Sequence, residues 1–571
     1  MWLMKTLLTS GCTNQRGAGQ KWLEAKMKLC FLWVDRFKNL ANLSASFCSE
    51  YQYAFDSEKK QLTRFAKPPL PDSRLLEPHL SHISGVLGAN GTGKTTLLEL
   101  ICLVTKAKDD LNSNYILIYE SEGELFYYSS EDSNKNLISS FEIQHSHGAS
   151  HLEQLNVIFF SNVYDDGFLN LGSPIKDISV NRQARYFGKE ENDKSKFIQD
   201  LDFIKSDAFR YLRYPSPRRA SVKIDPQFWS RYTNRDLNHE DYSVIRKLRD
   251  IYSIKRRARI SVKEHACVVI KLGVLARIYA DFYSDASVSH IFQKNLSDED
   301  NFTPDLDLLM IELIKGFEND HPSVANMLSL LRDIDEMFEM VNLKEERRYR
   351  NYQINFTIAL KRNNLSAFEG IVALVHIIPR ANMQWAELSS GQRAYVNLFS
   401  SVWNALADSR DTDALVCIDE GDLYLHPQLQ VEFIEKLVRV MPHLTHKEMQ
   451  IIVTTHSPLL VTDLPGQCLT VLTKDKNGLT QAKQGGKTFG ANLYDIYRNT
   501  FQLDNQRTGN LSQDYMTSII RLLDKEVLMD ADIVDLTASL NIIGDKLLRY
   551  HIEKKLNAYQ QQAGIMGGQY D

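Results

Sequence analysis

The order of hydrophobic and polar positions divides the chain into strand-rich and helix-rich regions. Short runs of branched and aromatic residues predict strands over 28–37, 83–87, 115–119, 125–128, 157–160, 354–360, 414–418 and 450–454. Residues 44–47 fit a hairpin partner for the first strand. From about 185 to 350, glycine is rare and charges interleave with Leu, Ile and Phe at helical spacing. The pattern therefore predicts an α/β fold with a mainly helical insertion.

Composition limits the classes of protein to which the chain can belong. Of its 571 residues, 43% are hydrophobic and 24% are charged, which excludes a wholly disordered, collagen-like or disulfide-dense chain. Because 67 Lys and Arg stand against 72 Asp and Glu, the net charge is −5, and nucleic-acid binding would need a local basic face. The seven cysteines form no C-x-x-C pair, which favours a reducing compartment and argues against a structural zinc site.

The start of the chain does not indicate export or membrane insertion. No apolar run reaches the roughly 18 residues that span a bilayer. The first residues lack the basic segment and the apolar length of a signal peptide. We therefore expect a cytoplasmic protein with no membrane contact, in which residues 1–26 form an extension before the fold.

A glycine-rich turn joins a predicted strand to a predicted helix. The segment GANGTGKT fits G-x-x-x-x-G-K-[ST], in which backbone N–H groups and a helix N-terminus face phosphates. Lys94 would contact the β- and γ-phosphates, and the Thr95 hydroxyl would bind Mg²⁺. The residues predicted to bind nucleotide are Gly88, Ala89, Asn90, Gly91, Thr92, Gly93, Lys94, Thr95 and Thr96. ATP and Mg²⁺ are the ligands that this segment indicates.

Two carboxylates and a histidine follow later buried strands. The apolar run 414–418 leads into Asp419 and Glu420, at the carboxyl end of a predicted strand. Asp419 can hold Mg²⁺ through water, and Glu420 can polarise the attacking water. The next such strand leads to His456, which can bind the γ-phosphate or the same water. A lone histidine there would usually be structural, but this order and spacing favour a catalytic role.

A serine-glycine turn precedes the helix predicted over 393–405. Its residues Ser389, Ser390, Gly391 and Gln392 place a hydroxyl and free N–H groups at a helix start, which suits an anion. On its own this turn would be interpreted as helix capping. Together with the phosphate loop and the two carboxylates, it predicts a second part of the nucleotide site.

The four segments GANGTGKT, LSSGQ, CIDEGDLYLHP and TTHSP resemble, in this order, the ABC-type AAA family ATPases of the chromosome-maintenance, DNA-repair and OLD class. The resemblance identifies them with Walker A, the signature motif, Walker B with its catalytic glutamate, and the switch histidine. It implies an ABC-type P-loop head, with a mixed sheet flanked by helices, over 27–185 and 351–484. A helical insertion would cover 186–350, and a helical C-terminal domain 485–571.

The same resemblance implies a head-to-tail dimer that holds two ATP molecules between its subunits. Ser389 and Gly391 would then act on the ATP bound to the partner subunit. A glutamine is expected after a strand between Walker A and the insertion. The chain instead has Asn162 after the strand 157–160, and Asn162 is the corresponding candidate for a metal or water ligand.

The C-terminal region resembles the PtuA family of Septu antiphage systems, through residues 488–495 and 541–549. The resemblance implies an ATPase that controls a separate HNH nuclease, PtuB. In some relatives it also implies a retron reverse transcriptase with its RNA–DNA hybrid. Two alternatives stay open: a self-contained OLD-like nuclease that uses Asp530 and Asp532, and a DNA-clamping chromosome-maintenance ATPase. We expect instead that Asp530 caps a helix starting near Ile533.

Basic residues cluster with tyrosines in the predicted insertion. The clusters lie at 210–214, 218–219, 246–249, 255–259 and 347–350. Such clusters suit nucleic-acid backbones and base stacking. They equally suit an acidic protein partner, or a solvated helix face that pairs with neighbouring acids.

Overall fold

The computed structural model describes most of the chain. The described residues are 27–70, 80–106, 111–131, 137–146, 152, 154–163, 169, 171–172, 174–182, 196–225, 239–257, 260–296, 305–345, 354–501 and 508–567. The predicted extension over 1–26 lies outside them, and so does the basic cluster at 347–350.

The strands of the described residues form three sheets. Their bounds are β1 Met27–Phe37, β2 Leu40–Ser46, β3 Tyr51–Asp56, β4 Gln61–Ala66, β5 Leu80–Gly88, β6 Tyr115–Ser121, β7 Glu124–Ser129, β8 Ile138–Ser139, β9 Gln144–His145, β10 Asn156–Ser161, β11 Lys176–Asp177, β12 Arg219–Ile224, β13 Lys344–Glu345, β14 Ile354–Ala359, β15 Ala381–Trp385, β16 Ala414–Asp419, β17 Met449–Thr454, β18 Leu469–Lys474 and β19 Thr480–Gln484. The large sheet has twelve strands, in the order β11-β10-β16-β17-β5-β18-β19-β2-β1-β6-β7-β9. The smaller sheets are β13-β14-β12-β15 and β3-β4-β8.

Helices cover the sheet and fill the insertion and the C-terminal region. Their bounds are α1 Lys94–Lys106, α2 Lys196–Lys205, α3 His239–Arg257, α4 Val262–Phe282, α5 Ala286–Asn295, α6 Leu306–Phe317, α7 Pro322–Arg332, α8 Ile334–Val341, α9 Leu365–Ile377, α10 Ser390–Ala405, α11 Pro427–Gln430, α12 Phe433–Val440, α13 Pro458–Val461, α14 Leu493–Asn499, α15 Asn510–Leu523, α16 Asp530–Ile542 and α17 Lys546–Gly567. The predicted α/β class, with a mixed sheet, flanking helices and a helical C-terminal region, is confirmed.

The centre of the large sheet is parallel. Strands β10, β16, β17, β5 and β18 pair in parallel with one another, whereas β2, β1, β6 and β7 pair antiparallel with one another. Every residue of β16 and β17 is buried, which explains why both strands are continuous apolar runs. The register pairs Asp419 with Ser161 on one side and with Thr454 on the other. The carboxyl ends of these strands therefore meet at one edge of the sheet.

The two faces of the sheet have different covers. On one face, Leu97 and Ile101 of α1 pack in a core that also contains Val86 and Leu415. On the other face, side chains of β1 pack against β3, with Trp33 and Phe55 in an edge contact at 4.7 Å between ring centroids. The β3–β4 hairpin was not predicted, although the tyrosines and phenylalanine of β3 lie at alternate positions. Strand β3 is stabilised because these aromatic residues pack against β1.

The helical insertion also contributes a strand. Helix α4 is mostly buried, and its N-terminus has a capping box in which Ser261 and Glu264 exchange hydrogen bonds with each other's backbone. Strand β12 lies among the helices in sequence but pairs with β14 and β15, which come more than 120 residues later in the sequence. Short-range periodicity does not predict such a strand, because its partners are far along the chain.

The residues from Ala491 onward form a separate compact unit. Its helices enclose a small core of Ile519, Leu528, Leu536, Ile543 and Ile552. The helix predicted to start near Ile533 starts at Asp530, with Met529 as the N-cap residue. The expectation that Asp530 caps it was wrong, because the Asp532 carboxylate accepts the Met529 N–H at 3.0 Å.

The described cysteines lie inside the fold. Cys30, Cys48, Cys102, Cys267, Cys417 and Cys468 are free and buried. Among the helices that the structure describes, none combines the length and apolar character needed to cross a bilayer.

Candidate nucleotide site

The predicted phosphate loop, carboxylates and histidine lie at one edge of the large sheet. Strand β17 lies between β16 and β5, and all three are parallel. The loop Gly88–Thr95 therefore follows β5 beside the turns that carry Asp419, Glu420 and His456. We call this set of residues the nucleotide edge. Three segments that are separate in sequence converge there.

The phosphate loop has the backbone that its glycines permit. Gly91 has a φ of +75° and Gly93 a φ of +89°, a region that side chains rarely adopt. Lys94 is 6% exposed, and its ammonium group donates to the Gly88 carbonyl at 3.1 Å. Burial lowers the pKa of Lys94, while Glu420 and Asp419 oppose that shift. The lysine thus lies folded onto its own loop, where phosphate oxygens could replace the carbonyl as acceptors.

Asp419 collects hydroxyl groups from three elements. Its Oδ2 accepts the Thr95 hydroxyl at 2.9 Å, and its Oδ1 accepts the Thr454 hydroxyl at 2.6 Å. The Ser161 hydroxyl lies 3.4 Å from the same Oδ2. Asp419 is 1% exposed, and burial raises its pKa despite the hydrogen bonds.

This set of donors fits Mg²⁺. The oxygens of Thr95, Asp419 and Ser161 are the hard ligands that Mg²⁺ prefers, and Mg²⁺ typically needs only one or two carboxylates beside nucleotide phosphates. A buried carboxylate whose ionised form is disfavoured is also the group that a bound cation would stabilise. The oxygens of Thr95 and Asp419 therefore suit a metal shared with a nucleotide.

Glu420 is held in an unusual backbone conformation next to His456. Its φ is +48°, which costs about 1–3 kcal/mol for a residue with a side chain. Its N–H donates to both the carbonyl and the hydroxyl of Thr454, at 3.2 and 3.0 Å. The Nε2 atom of His456 lies 2.9 Å from the Glu420 Oε1 atom. The hydrogen bond from His456 is the main cause that lowers the pKa of Glu420, so its carboxylate is ionised at neutral pH.

Asn162 occupies the end of β10, next to the Asp419 strand. Its N–H donates to the Asp419 carbonyl at 3.1 Å, and its side-chain amide donates to the Leu423 carbonyl at 2.7 Å. Both bonds fix the turn that follows β16. The role of Asn162 as a metal or water ligand stays a prediction. The hydroxyl of the preceding residue, Ser161, lies 3.4 Å from the Asp419 carboxylate.

Asp422 is a buried acid that the sequence reasoning missed. It is 5% exposed, and its Oδ1 accepts the Thr455 hydroxyl at 2.9 Å. Burial raises its pKa to about 6. Its backbone carbonyl lies 3.4 Å from the Gln430 amide, which in turn accepts the Ser457 hydroxyl. Asp422 thus ties the Glu420 turn to the His456 turn, and the acid two residues after Glu420 was the available signal.

The turn Ser389–Gln392, which we call the signature turn, lies at the start of α10. The Ser389 hydroxyl accepts the Gln392 N–H at 3.3 Å, and the Gln392 side chain accepts the Ser389 N–H at 2.9 Å. Ser389 and Ser390 are exposed. A Cβ on Gly391 would lie 1.9 Å from the Leu429 side chain, so any larger residue there would require Leu429 to move. Within the described residues, no hydrogen bond joins this turn to the phosphate loop.

The described basic clusters are partly used inside the protein. Arg219 forms an ion pair with Glu387 at 2.9 Å. The Lys436 ammonium lies over the Tyr214 ring at 4.7 Å from its centroid. Tyr211 stacks on His443 at 3.4 Å between centroids. Arg246 and Arg249 on α3 stay exposed. Contact with nucleic acid by these clusters stays a prediction.

One of the two carboxylates of the nuclease alternative has other partners in the structure. Asp530 and Asp532 lie in the first turn of α16. The Asp532 carboxylate is paired with Lys525 at 2.8 Å and also accepts the Met529 N–H. These contacts stabilise the start of the helix.

Known proteins resemble parts of this chain. Residues 74–461 match the family described as AAA ATPase domain. The chain is 27% identical over 174 residues to the Retron Ec83 probable ATPase of Escherichia coli, across 29% of this chain and 30% of that protein. It is 24% identical over 144 residues to Protein ea59 of Escherichia phage lambda, across 25% and 26% of the two chains. The chain thus matches less than a third of the length of either relative. The structure of the recombination mediator protein RecF with ATP covers 81% of this chain and 100% of its own at 11% identity, with a TM-score of 0.23.

Proposed function

This chain belongs to the AAA ATPase domain family, and on that premise we propose that it binds Mg-ATP at the nucleotide edge and hydrolyses it. One observation carries the proposal: Lys94, Asp419, Glu420 and His456 converge at the carboxyl ends of neighbouring parallel strands. The lysine and loop N–H groups suit phosphates. The hydroxyl-lined carboxylate suits Mg²⁺. The ionised glutamate suits activation of water.

Each residue of the nucleotide edge has a separate role in the proposed hydrolysis of ATP. Lys94 exchanges the Gly88 carbonyl for phosphate oxygens and stabilises their charge. Glu420 accepts a proton from a water molecule, whose oxygen bonds to the γ-phosphorus as the bond to the bridging oxygen breaks and ADP leaves with those electrons. His456 holds the Glu420 carboxylate in place. Thr95 and Asp419 would hold Mg²⁺, which would supply positive charge against the phosphates when bound.

We further propose that two copies assemble head to tail around two ATP molecules. The signature turn is exposed and uses its hydrogen bonds to cap its own helix. Its N-terminal position on α10 suits an anion. Ser389, Ser390, Gly391 and Gln392 would therefore close the site of the partner copy. This arrangement follows the ABC-type resemblance of the four motifs.

The biological role that we propose is regulatory. The chain would act as the cytoplasmic ATPase of a PtuA-like antiphage defence complex and control a partner HNH nuclease, PtuB. The resemblance of residues 488–495 to the PtuA family and the partial similarity to a retron ATPase support this setting. A retron reverse transcriptase and its RNA–DNA hybrid would be further partners. ATP would act as a holding signal as much as a fuel.

Nucleotide-dependent assembly tests the proposal. Sedimentation of Glu420→Gln with Mg-ATP should give a dimer or a larger oligomer, because the variant binds ATP without cleaving it. Lys94→Ala should stay in the nucleotide-free state. Equal sedimentation of both variants with and without ATP would contradict the composite site.

The regulatory role has its own test. The complex co-purified with the HNH protein should change its stability when ATP is removed, and unchanged assembly would count against a holding role. The purified chain alone should not cut DNA with Mg²⁺ or Mn²⁺. Cutting that Asp530→Ala abolishes would favour the OLD-like nuclease instead.

A further inference from the structure

A hairpin beyond the residues that match the family lies against the phosphate loop. Strand β18 pairs in parallel with β5, with Leu472 opposite Gly88, and continues into β19. Its carboxyl end therefore lies at the same sheet edge as the phosphate loop. The family match ends at residue 461, and this hairpin lies outside the four motifs.

The hairpin contacts the loop closely. A Cβ on Gly88 would lie 2.8 Å from the Leu472 carbonyl oxygen, so the two backbones touch. The Thr480 hydroxyl, which is 1% exposed, donates to the Thr92 carbonyl at 2.9 Å. These buried contacts fix the position of the hairpin relative to the loop. Any side chain at the end of β18 is consequently held near the tip of the loop.

Lys474 is the side chain at that position. Its Nζ atom lies 3.7 Å from the point that a Cβ on Gly91 would occupy. The residue is exposed, and within the described residues no carboxylate lies within 4.0 Å of its ammonium group. It thus places an uncompensated positive charge at the tip of an anion-binding loop.

A second lysine near the loop, Lys38, differs from Lys474 because its charge is paired. Lys38 lies in the β1–β2 turn, whose next residue, Asn39, would meet a Cβ on Gly93 at 2.8 Å. The Lys38 ammonium, however, is 2.6 Å from Oε1 of Glu99, so its charge is neutralised. Of these two lysines, only Lys474 retains a charge free for a ligand.

We propose that Lys474 is an additional phosphate-binding residue for the nucleoside triphosphate. The proposal rests on the proposed function of the nucleotide edge. A cation at the loop tip adds an attraction that grows with the charge of the ligand and weakens with salt. It therefore favours the triphosphate over the diphosphate. Lys474 supplements Lys94, which is held inside the loop.

Titration of fluorescent mant-ATP and mant-ADP into the full chain tests this role. Lys474→Gln should bind mant-ATP about 5-fold more weakly at low ionic strength, with a smaller loss for mant-ADP. The difference from wild type should shrink at high salt, where exposed charges are screened. Lys474→Arg should retain the wild-type affinity. Lys476→Gln, on the exposed turn of the same hairpin, is the matched control and should bind as wild type does.

The outcomes separate this inference from the proposed function. If Lys94→Ala loses nucleotide binding while Lys474→Gln binds mant-ATP as tightly as wild type, only the role of Lys474 is wrong. If Lys94→Ala also binds normally, the proposed site is wrong and the inference falls with it. An unchanged melting temperature of Lys474→Gln excludes misfolding as the cause of a loss. Equal losses for Lys474→Gln and Lys476→Gln would overturn a specific contact.

Discussion

The polar groups of the nucleotide edge and those of the signature turn differ in their hydrogen-bond partners. At the nucleotide edge, buried and half-buried groups bond across elements that are far apart in sequence, as in the bond between Thr95 and Asp419 and the contact between Glu420 and His456. In the signature turn, the side chains of Ser389 and Gln392 accept each other's backbone N–H groups, and both serines face solvent. One region is assembled within the chain, whereas the other is presented outward.

This difference is the one that the proposed dimer needs, in which a single chain would hold half of each site. The acids and the lysine of the nucleotide edge would be costly to bury without one another, so folding itself brings them together. The signature turn has no such cost, because its capping box satisfies the Ser389 and Gln392 N–H groups. Its exposed helix N-terminus with two exposed serines suits an anion on another molecule. The contrast therefore favours a site that is completed between two copies.

The largest expected effect separates catalysis from binding at the nucleotide edge. Glu420→Gln should slow ATP hydrolysis by about 10²–10⁴-fold, because the amide cannot accept a proton. Nucleotide affinity should change little, since the proposed role of the Glu420 carboxylate is to act on water and not on the phosphates. Phosphate release and mant-ATP binding, measured on the same preparation, check both statements. Normal hydrolysis by Glu420→Gln would show that another group is the base.

The next effect concerns the lysine of the phosphate loop. Lys94→Ala should weaken mant-ATP binding on the order of 100-fold, which corresponds to the loss of hydrogen bonds to a charged ligand. Lys476→Ala, an exposed lysine outside the edge, should leave affinity unchanged and serves as control. Wild-type affinity in Lys94→Ala would mean that nucleotide binds elsewhere.

A smaller effect follows from the buried acid Asp422. Its pKa is about 6 in the folded chain, above the ordinary value near 4, so the folded state binds a proton more tightly than the unfolded state does. Its contribution to stability is therefore present at low pH and is lost as the pH rises from about 4 to about 6. Asp422→Asn lacks this titration and keeps an oxygen for the Thr455 hydroxyl. The free energy of unfolding of the variant should gain about 2 kcal/mol relative to wild type between pH 4 and pH 7.5.

Chemical denaturation of both proteins across this pH range measures that difference. Other acids titrate in both chains, so they cancel in the comparison. If the difference in unfolding free energy between the variant and wild type does not vary with pH, burial does not raise the pKa of Asp422.

The smallest effect concerns the signature turn. Ser389→Ala should lower the free energy of unfolding by about 1 kcal/mol, because the Gln392 N–H loses its acceptor. Ser390→Ala, one residue further on, offers a matched control, since Ser389 is the capping residue of α10. A loss of several kcal/mol on Ser389→Ala would mean that the turn is a structural part of the fold and not a free surface.

The sequence predicted the parts of the site that are continuous motifs. Gly88–Thr95, Asp419, Glu420 and His456 were identified because each lies at the end of an apolar strand, and the strands pair as expected. The left-handed backbone of Glu420 was not predictable, because it arises where its N–H bonds to Thr454. The burial of Asp422 depends on Thr455, which lies on the turn after another strand.

The missed elements of the fold have a similar cause. Strand β12 pairs with β14 and β15, which follow it by more than 120 residues, so no local pattern indicates it. Strand β3 has a period-two pattern, yet only its packing against Trp33 shows that one face is buried. The contribution of the β18–β19 hairpin to the loop depends on the bond from Thr480 to Thr92 across the sheet. Motifs thus identify the chemistry, and long-range pairing decides what surrounds it.

Mixing two inactive variants tests the composite site most directly. Lys94→Ala disables the phosphate loop of its own chain, and Ser389→Arg blocks the signature turn that its chain would offer to a partner. In a symmetric dimer that assorts at random, about half of the molecules are mixed and each has one intact site, so hydrolysis should recover to about a quarter of the wild-type rate. A mixture that stays as inactive as the separate variants would contradict a nucleotide site shared between two copies.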